Sequence, residues 1–247
     1  MSDRPLSGQV ALVTGGGKRI GRAIALTLGH AGAEVIVHYH RSGDGAQATV
    51  REILALGTRA VALRADVSRP RQVAAMFGTV EKRFGGLDVL VNNAGVFFPK
   101  QWDQLDEKDW DRVLGANLKG PFFCAQAAAR MMMRQRRGNI INISSLGGLQ
   151  AWPSYAHYCA SKAALISLTR SLAKALAPAI RVNSVAPGTI LFPDEKRTAT
   201  LRKIIRATPL RQAGAADDIA QTVLFLATHS GFITGQVFAV DGGKSIP

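Results

Sequence analysis

The sequence predicts an α/β fold, in which a parallel sheet of seven strands carries helices on both faces as one doubly wound domain. Short apolar runs, rich in valine and isoleucine, alternate with longer segments whose apolar residues recur at helical spacing. Strands separated by helices of this length form βαβ crossovers, and such crossovers require parallel pairing. Neither a linker nor an internal repeat interrupts the alternation, so we predict a single domain over residues 1–247.

The predicted elements follow one another in a regular order. The strands are VALVTG (10–15), EVIVHYH (34–40), RAVALRADV (59–67), LDVLVNNAG (87–95), NIINISS (139–145), IRVNSVAPG (180–188) and QVFAVDGG (236–243). The helices between them are RIGRAIALTLGHAG, AQATVREILALG, PRQVAAMFGTVEKRFG, KDWDRVLGANLKGPFFCAQAAARMMMRQ and YAHYCASKAALISLTRSLAKALAP. Because the irregular stretch 188–209 follows the carboxyl end of a strand, we interpret it as a substrate lid, with a polar surface helix as the alternative.

Composition and charge limit the class of protein. Lys and Arg number 31 against 17 Asp and Glu, which gives a formal net charge of +14. The basic residues are scattered, with loose clusters at 130–138 and 201–206, so solvated helix faces are favoured over a nucleic-acid site. A run of about 18 apolar residues, as a membrane helix requires, is absent from the sequence. The N-terminal residues lack an apolar signal core and Cys124 and Cys159 indicate reduced thiols, so we expect a cytoplasmic protein, and we predict no metal site.

The stretch TGGGKRIG (14–21) predicts a dinucleotide-binding turn. It joins the first strand to the first helix, where backbone N–H groups and a helix N-terminus can face a pyrophosphate, as in a Rossmann fold. Arg19 stands where a second turn glycine is expected, so the strict spacing is absent and a glycine-rich surface turn is the alternative. The residues assigned to the cofactor here are Gly15, Lys18, Arg19, Ile20 and Gly21.

The second strand indicates which dinucleotide is bound. Sites that prefer NAD place Asp or Glu about 20 residues after the glycines, where it accepts from the ribose 2′-hydroxyl. Here the strand ends in His40, Arg41 and Ser42. An acid would repel a 2′-phosphate, whereas these three side chains can donate to one. The sequence therefore predicts NADP(H), although Arg41 on an exposed loop is the simpler alternative.

Tyr158 and Lys162 predict acid–base chemistry. Their i, i+4 spacing on a helix puts the phenol and the ammonium on one face, about 6 Å apart. A cation at that distance favours phenolate, so we expect it to lower the pKa of Tyr158 toward working pH. Ser145 lies at the end of a predicted strand, where its hydroxyl can hydrogen-bond a substrate oxygen.

With these motifs the sequence resembles the short-chain dehydrogenase/reductase family over almost its whole length. The resemblance implies that Tyr158 exchanges the proton, that Lys162 holds the nicotinamide ribose, that Ser145 orients the substrate and that Asn117 supports a proton relay through a helix kink and a bound water. It further implies that the cofactor contacts Asp66, Val67, Asn93, Ala94, Gly95, Pro187 and Gly188. Purely structural roles for Asn93 and Asn117 are the alternative.

Within that family, three stretches resemble bacterial pteridine reductases: GKRIGR, HYHRS and NAGVFFP (93–99). The resemblance implies that Phe97 stacks on a flat heterocycle and that Arg19 reaches a substrate carbonyl or the cofactor phosphates. Two positions depart from it, because Ser145 stands where such enzymes carry aspartate and Gly95 where they carry serine. Serine at 145 suits reduction of C=O rather than C=N.

These patterns leave three hypotheses. The first is an NADPH-dependent reductase of a small-molecule carbonyl or pterin, and the second is a 3-oxoacyl-[acyl-carrier-protein] reductase whose acidic carrier docks on the basic cluster 130–138. The third is a nucleotide-sensing or nucleic-acid-binding protein on a vestigial reductase fold, which the intact set of Ser145, Tyr158 and Lys162 disfavours. Apolar residues on more than one face of the two longest helices predict a homodimer or homotetramer.

Overall fold

The computed structural model describes residues 4–195 and 198–246. Its strands are β1 (Val10–Val13), β2 (Glu34–Tyr39), β3 (Ala60–Arg64), β4 (Val89–Asn92), β5 (Gly138–Ile143), β6 (Ile180–Pro187) and β7 (Val237–Val240). Its helices are α1 (Arg19–His30), α2 (Gly43–Ala55), α3 (Pro70–Phe84), α4 (Glu107–Leu114), α5 (Gly120–Gln135), α6 (Ala156–Leu176), α7 (Ala199–Arg206) and α8 (Ala216–Thr228).

The strands form one parallel sheet in the order β3-β2-β1-β4-β5-β6-β7. The chain moves outward from β1 to β3 and then returns to place β4 on the other side of β1. The order therefore reverses between β1 and β4, and ligands of open α/β sheets bind outside the carboxyl ends of the strands at such a switch point. The predicted α/β fold with seven parallel strands is confirmed.

Alternate residues of the central strands supply two hydrophobic cores, one on each face of the sheet. On one face Ala11 and Val13 pack with buried side chains of α1, α2 and α8. On the other face Val10 and Leu12 pack with buried side chains of α3, α5 and α6. β1 is buried along its whole length, as expected for a strand that helices cover on both sides.

Three elements differ from the prediction. α8 was not predicted. Its N-terminus is stabilised by the Asp218 carboxylate, which accepts from the Ala215 N–H at 2.7 Å. The long helix predicted around Asn117 is interrupted by a π-helical segment, Gly115–Lys119, between α4 and α5. The predicted lid contains α7, a short helix without a fully buried residue, and residues 196–197 of that lid lie outside the described residues.

Within the part of the chain that the structure describes, no helix combines the length and the apolar character that crossing a membrane requires.

Candidate active site

The glycine turn between β1 and α1 is held in shape by neighbouring backbone. Gly15 has a φ of 67°, a left-handed conformation that glycine adopts without steric cost. A Cβ atom at Gly21 would lie 2.2 Å from the Gly15 carbonyl oxygen, so only glycine allows the first turn of α1 to approach so closely. The Asn93 side-chain amide donates to the Thr14 carbonyl at 2.9 Å and ties the turn to the end of β4.

A cleft of about 300 Å³ opens beside this turn, at the carboxyl ends of β1, β2 and β3. Many of the residues that the sequence assigns to the cofactor line its wall: Gly15, Lys18, His40, Arg41, Ser42, Asp66, Val67, Ala94 and Gly95. The structure thus brings together residues that are up to 80 positions apart in the chain, counted from Gly15 to Gly95.

The Asp66 carboxylate, in the wall of this cleft, accepts two hydrogen bonds from Ser68. Its Oδ1 atom accepts from the Ser68 N–H at 3.0 Å and from the Ser68 hydroxyl at 2.7 Å. Burial raises the pKa of the Asp66 carboxyl, but these hydrogen bonds and the nearby charges of His40 and Arg69 together hold the pKa below its usual value. The tip of β2 adds His40, Arg41 and Ser42 without a carboxylate, so this end of the cleft offers donors that suit a phosphate group.

Ser145, Tyr158 and Lys162 lie at the carboxyl end of β5. Ser145 is buried just beyond the strand, and its Oγ atom accepts from the Gly147 N–H at 3.0 Å. Tyr158 and Lys162 lie on α6, with the Lys162 Nζ atom 5.8 Å from the centre of the tyrosine ring. That atom also donates to the Ile143 carbonyl at 2.7 Å. The predicted i, i+4 arrangement is present.

The predicted lowering of the Tyr158 pKa is wrong for this arrangement. Burial raises the pKa of the Tyr158 phenol to about 12, and a hydrogen bond with Ser145 only partly offsets the effect of burial. The Lys162 ammonium is itself buried, which lowers its pKa to about 8, and its nearest acceptor is the Ile143 carbonyl rather than a charged group. At neutral pH Tyr158 is therefore a protonated phenol, the form that donates a proton.

Asn117 is fully buried within the π-helical segment. Its Oδ1 atom accepts from the Val96 N–H at 2.7 Å, and its Nδ2 atom donates to the Val96 carbonyl at 3.0 Å and to the Ser161 hydroxyl at 3.1 Å. These bonds connect the loop after β4 with α6. The kink lies where the family resemblance implies it, and the part of Asn117 in a proton relay stays a prediction.

Three aromatic rings, those of Phe97, Trp152 and Tyr155, form a cluster with the ring of Tyr158. Phe97 stacks on Tyr155 with ring centres 4.6 Å apart and meets Tyr158 edge-on at 4.7 Å. Trp152 lies nearly parallel to the Tyr158 ring at 6.2 Å and edge-on to Tyr155 at 6.0 Å. Phe97 is 57% exposed, so a large part of its ring is accessible to a ligand. This lining suits an apolar or flat group next to the reacting atom.

Comparison with known proteins agrees with this geometry. A family model described as enoyl-(acyl carrier protein) reductase matches residues 16–245. A 3-oxoacyl-[acyl-carrier-protein] reductase FabG from Staphylococcus aureus is 44% identical over 237 residues, covering 94% of this chain and 96% of that protein. A short-chain type dehydrogenase/reductase from Mycobacterium marinum superposes with a TM-score of 0.92 at 36% identity, over 99% of each chain. The chain belongs to the short-chain dehydrogenase/reductase family.

A further solved member of the family bears on the cleft of this short-chain dehydrogenase/reductase. The gluconate 5-dehydrogenase from Burkholderia cenocepacia, in complex with NADP and tartrate, superposes with a TM-score of 0.92 at 34% identity. The superposition covers 99% of this chain and 98% of that one. It extends over the glycine turn, the cleft and the β5–α6 region, so the two chains share the framework that surrounds the site.

In this short-chain dehydrogenase/reductase, the Arg19 side chain contacts the segment after β6. Its guanidinium forms an ion pair with Glu195 at 3.1 Å and lies 4.7 Å from the centre of the Phe192 ring. The Arg19 backbone has a φ of 52°, in the left-handed region that favours glycine. Arg19 therefore links the glycine turn to the segment after β6, and its predicted contact with phosphate or substrate stays a prediction.

The remaining predicted cofactor residues lie behind or beside the cleft. Ile20 and Gly21 begin α1, and Asn93 holds the turn. Pro187 ends β6, and a Cβ atom at the following Gly188 would lie 2.6 Å from the Asp241 Cα atom, so this position packs closely against the chain after β7. Their contacts with a cofactor stay predictions.

Several residues in the cleft wall were not predicted from the sequence: Gly17, His38, Tyr39, Ser68, Val96, Asp111, Arg112 and Ala116. His38 carries a detectable signal, because it is a polar residue inside the apolar run of β2 and must find hydrogen-bond partners when buried. The sequence contains no such signal for Asp111 and Arg112, because only the folded position of α4 brings these two residues to the cleft.

Proposed function

We propose that the chain is an NADPH-dependent reductase of carbonyl groups, with Tyr158 as the proton donor and Ser145 as the hydrogen-bond partner of the substrate oxygen. The observation that carries this proposal is the arrangement at the carboxyl end of β5, where Ser145 forms a hydrogen bond with the Tyr158 phenol and the Lys162 Nζ atom lies 5.8 Å from the centre of the tyrosine ring. NADPH, when bound, supplies the hydride.

The residues of the cleft fit a phosphorylated dinucleotide. Arg41, Ser42 and His40 would hold the 2′-phosphate, while Gly15 and Lys18 would lie along the pyrophosphate. Hydrogen bonds to a charged phosphate are roughly twice as strong as neutral ones, so this cationic rim favours NADPH over NADH. The NADP named with the similar gluconate 5-dehydrogenase supports the same choice.

The residues of this chain perform the acid–base part of the reaction. Ser145 would donate to the carbonyl oxygen and hold it next to the Tyr158 hydroxyl. As the carbonyl carbon accepts hydride, the oxygen takes the phenolic proton, so C=O becomes CH–OH and Tyr158 becomes phenolate. The Lys162 ammonium, 5.8 Å from the ring centre, would stabilise that phenolate until solvent restores the proton.

A 3-oxoacyl thioester is the substrate that the comparisons support. The Staphylococcus aureus relative carries the name of a 3-oxoacyl-[acyl-carrier-protein] reductase and covers nearly the whole chain. The basic cluster 130–138 would dock the acidic carrier, since Arg130 and Arg136 are exposed. Arg134 and Arg137 of the same cluster already pair with Glu81 and Asp88.

A pterin is the second candidate, and Phe97 favours it. Its accessible ring lies edge-on to Tyr158, where it could stack on a flat heterocycle. Gly95 counts against a pterin, because a side chain at this position, as pteridine reductases carry, would place its Cβ 3.1 Å from the Asn117 Oδ1 atom.

We also infer self-association in the cytoplasm. α4, α5 and α6 border an open groove that contains Leu114, Leu118, Phe122 and Leu168. A second copy of the chain could cover these apolar side chains in a homodimer or homotetramer.

A substrate panel tests the proposed function. We expect NADPH oxidation with acetoacetyl thioester to exceed that with dihydropterin, and Tyr158→Phe to abolish most of it. If the protein reduces dihydropterin but not acetoacetyl thioester, the pterin replaces the thioester as the favoured substrate. Failure of NADPH to bind the wild-type protein would refute the proposal as a whole.

A further inference from the structure

We propose that His38 is a positioning residue for the cofactor, which sets the shape of the phosphate-binding turn and its distance from the wall of the cleft at Asp66 and Val67. The proposal rests on the proposed NADPH-dependent function. It assigns a role to a buried side chain of β2 that takes no part in the acid–base chemistry.

The contacts of His38 define its protonation state. The imidazole is 1% exposed, and its Nδ1 atom accepts from the Gly15 N–H at 3.1 Å. Its Nε2 atom lies 3.0 Å from the Ala65 carbonyl oxygen. Because an N–H can only donate and a carbonyl can only accept, His38 must be neutral with its proton on Nε2. Burial agrees with this assignment, since it lowers the pKa of His38 to about 4.

The backbone of His38 holds the turn as well. The Gly16 N–H donates to the His38 carbonyl at 3.0 Å. The first two N–H groups of the glycine turn, at Gly15 and Gly16, are thus both bound to one residue. The pyrophosphate must then be held by N–H groups further along the turn, so His38 determines which donors face the ligand.

Through its Nε2 atom, the imidazole donates to the carbonyl of Ala65. Ala65 directly precedes Asp66 and Val67, which line the cleft together with His38. The imidazole therefore connects the phosphate-binding turn, at Gly15, with the chain that leads to Asp66 and Val67. Without it, the Gly15 N–H and the Ala65 carbonyl would be left unsatisfied, and the turn would gain freedom that cofactor binding must remove.

Three substitutions separate the two hydrogen bonds. In His38→Asn, Oδ1 occupies the position of Nδ1 and can still accept from the Gly15 N–H. In His38→Gln, the terminal amide reaches the position of Nε2 and can still donate to Ala65. His38→Leu removes both bonds with little loss of apolar volume. His30→Leu, at an exposed histidine in the last turn of α1, is the matched control.

The experiment measures the Kd of NADPH by titration calorimetry, together with kcat at saturating NADPH and the circular dichroism spectrum of each variant. We expect His38→Leu to raise the Kd by about tenfold or more while kcat stays within about threefold of wild type. His38→Asn should restore most of the affinity, His38→Gln should restore less, and His30→Leu should bind as wild type does.

Two results would overturn the proposal: wild-type affinity in His38→Leu, or an Asn variant that binds no better than the Gln variant. The comparison of Asn with Gln decides the matter even where the Leu variant does not fold. A wild-type protein that fails to bind NADPH contradicts the proposed function instead, so the two failures are distinguishable.

Discussion

Arg19 allows a test of backbone strain, because replacing it with glycine and with alanine should produce an unusual order of stability. Its φ of 52° lies in the left-handed region, which costs a non-glycine residue about 1–2 kcal/mol. Glycine relieves that cost but loses about 0.5–1 kcal/mol to the greater freedom of the unfolded chain. Alanine does not relieve the cost of the left-handed conformation, because it has a Cβ atom. Arg19→Gly should therefore be more stable than Arg19→Ala by about 0.5–1 kcal/mol.

Both variants lose the same side-chain contacts. The ion pair with Glu195 is largely exposed and contributes about 0.2–1 kcal/mol. The contact with the Phe192 ring contributes about 0.5–1 kcal/mol. These losses cancel in the comparison of Gly with Ala. Because the relief of strain offsets part of them, Arg19→Gly should be less stable than wild type by at most about 1.5 kcal/mol.

Urea denaturation measures the difference in the free energy of unfolding, and thermal denaturation should show it as a difference of about 1–4 °C in Tm for a chain of this size. Arg51, exposed on α2, is the matched control. There alanine should exceed glycine by about 1 kcal/mol, the usual order in a helix. If Arg19→Ala equals or exceeds Arg19→Gly in stability, the assignment of strain to Arg19 is refuted.

The remaining predictions concern the chemistry, the cofactor and the dependence of stability on pH. Tyr158→Phe should lower kcat by about 10²-fold or more without changing the Kd of NADPH, and retained turnover would contradict a proton-donor role. Arg41→Asp should reduce the ratio of kcat/KM for NADPH to that for NADH by about 10–100-fold; a wild-type enzyme with equal kcat/KM for both would contradict the phosphate assignment. Burial lowers the pKa of His38 from 6.5 to about 4, so the unfolded chain takes up this proton first and stability falls as the pH drops from 6.5 to 4, by up to about 3 kcal/mol. In acid denaturation, His38→Asn should not show this part of the stability loss. A dependence of stability on pH equal to that of the wild type would contradict the assignment to His38.

The strands were predictable because local composition decides them. β1, β4 and most of β2 are buried on both faces, so they appear in the sequence as continuous apolar runs whatever surrounds them. α8 escaped prediction because its N-terminus lacks a capping side chain at Ala215 and depends instead on the Asp218 carboxylate three residues later. Within the π-helical segment Asn117 forms hydrogen bonds with Val96 and Ser161, and these partners are distant in sequence, so the local sequence does not show them.

The members of the candidate site were more predictable than their electrostatics. Tyr158 and Lys162 share a helix face by their spacing alone, and Ser145 follows β5 by position. The pKa of Tyr158 is set mainly by burial, which the hydrogen bond with Ser145 only partly offsets, whereas the sequence shows only the nearby charge of Lys162. The direction of the Arg19 side chain likewise depends on Phe192 and Glu195, which the fold brings to the glycine turn from more than 170 positions away in the chain.

The separation of the cleft from the aromatic cluster around Tyr158 has a consequence for how enzymes of this kind diversify. Arg41 and the tip of β2 lie in the first third of the sequence, whereas Phe97, Trp152 and Tyr158 form a separate aromatic cluster beyond the switch point of the sheet. Groups without shared partners contribute additively to free energy. Cofactor preference and substrate preference can therefore change by independent substitutions, so selection can retain one while it alters the other.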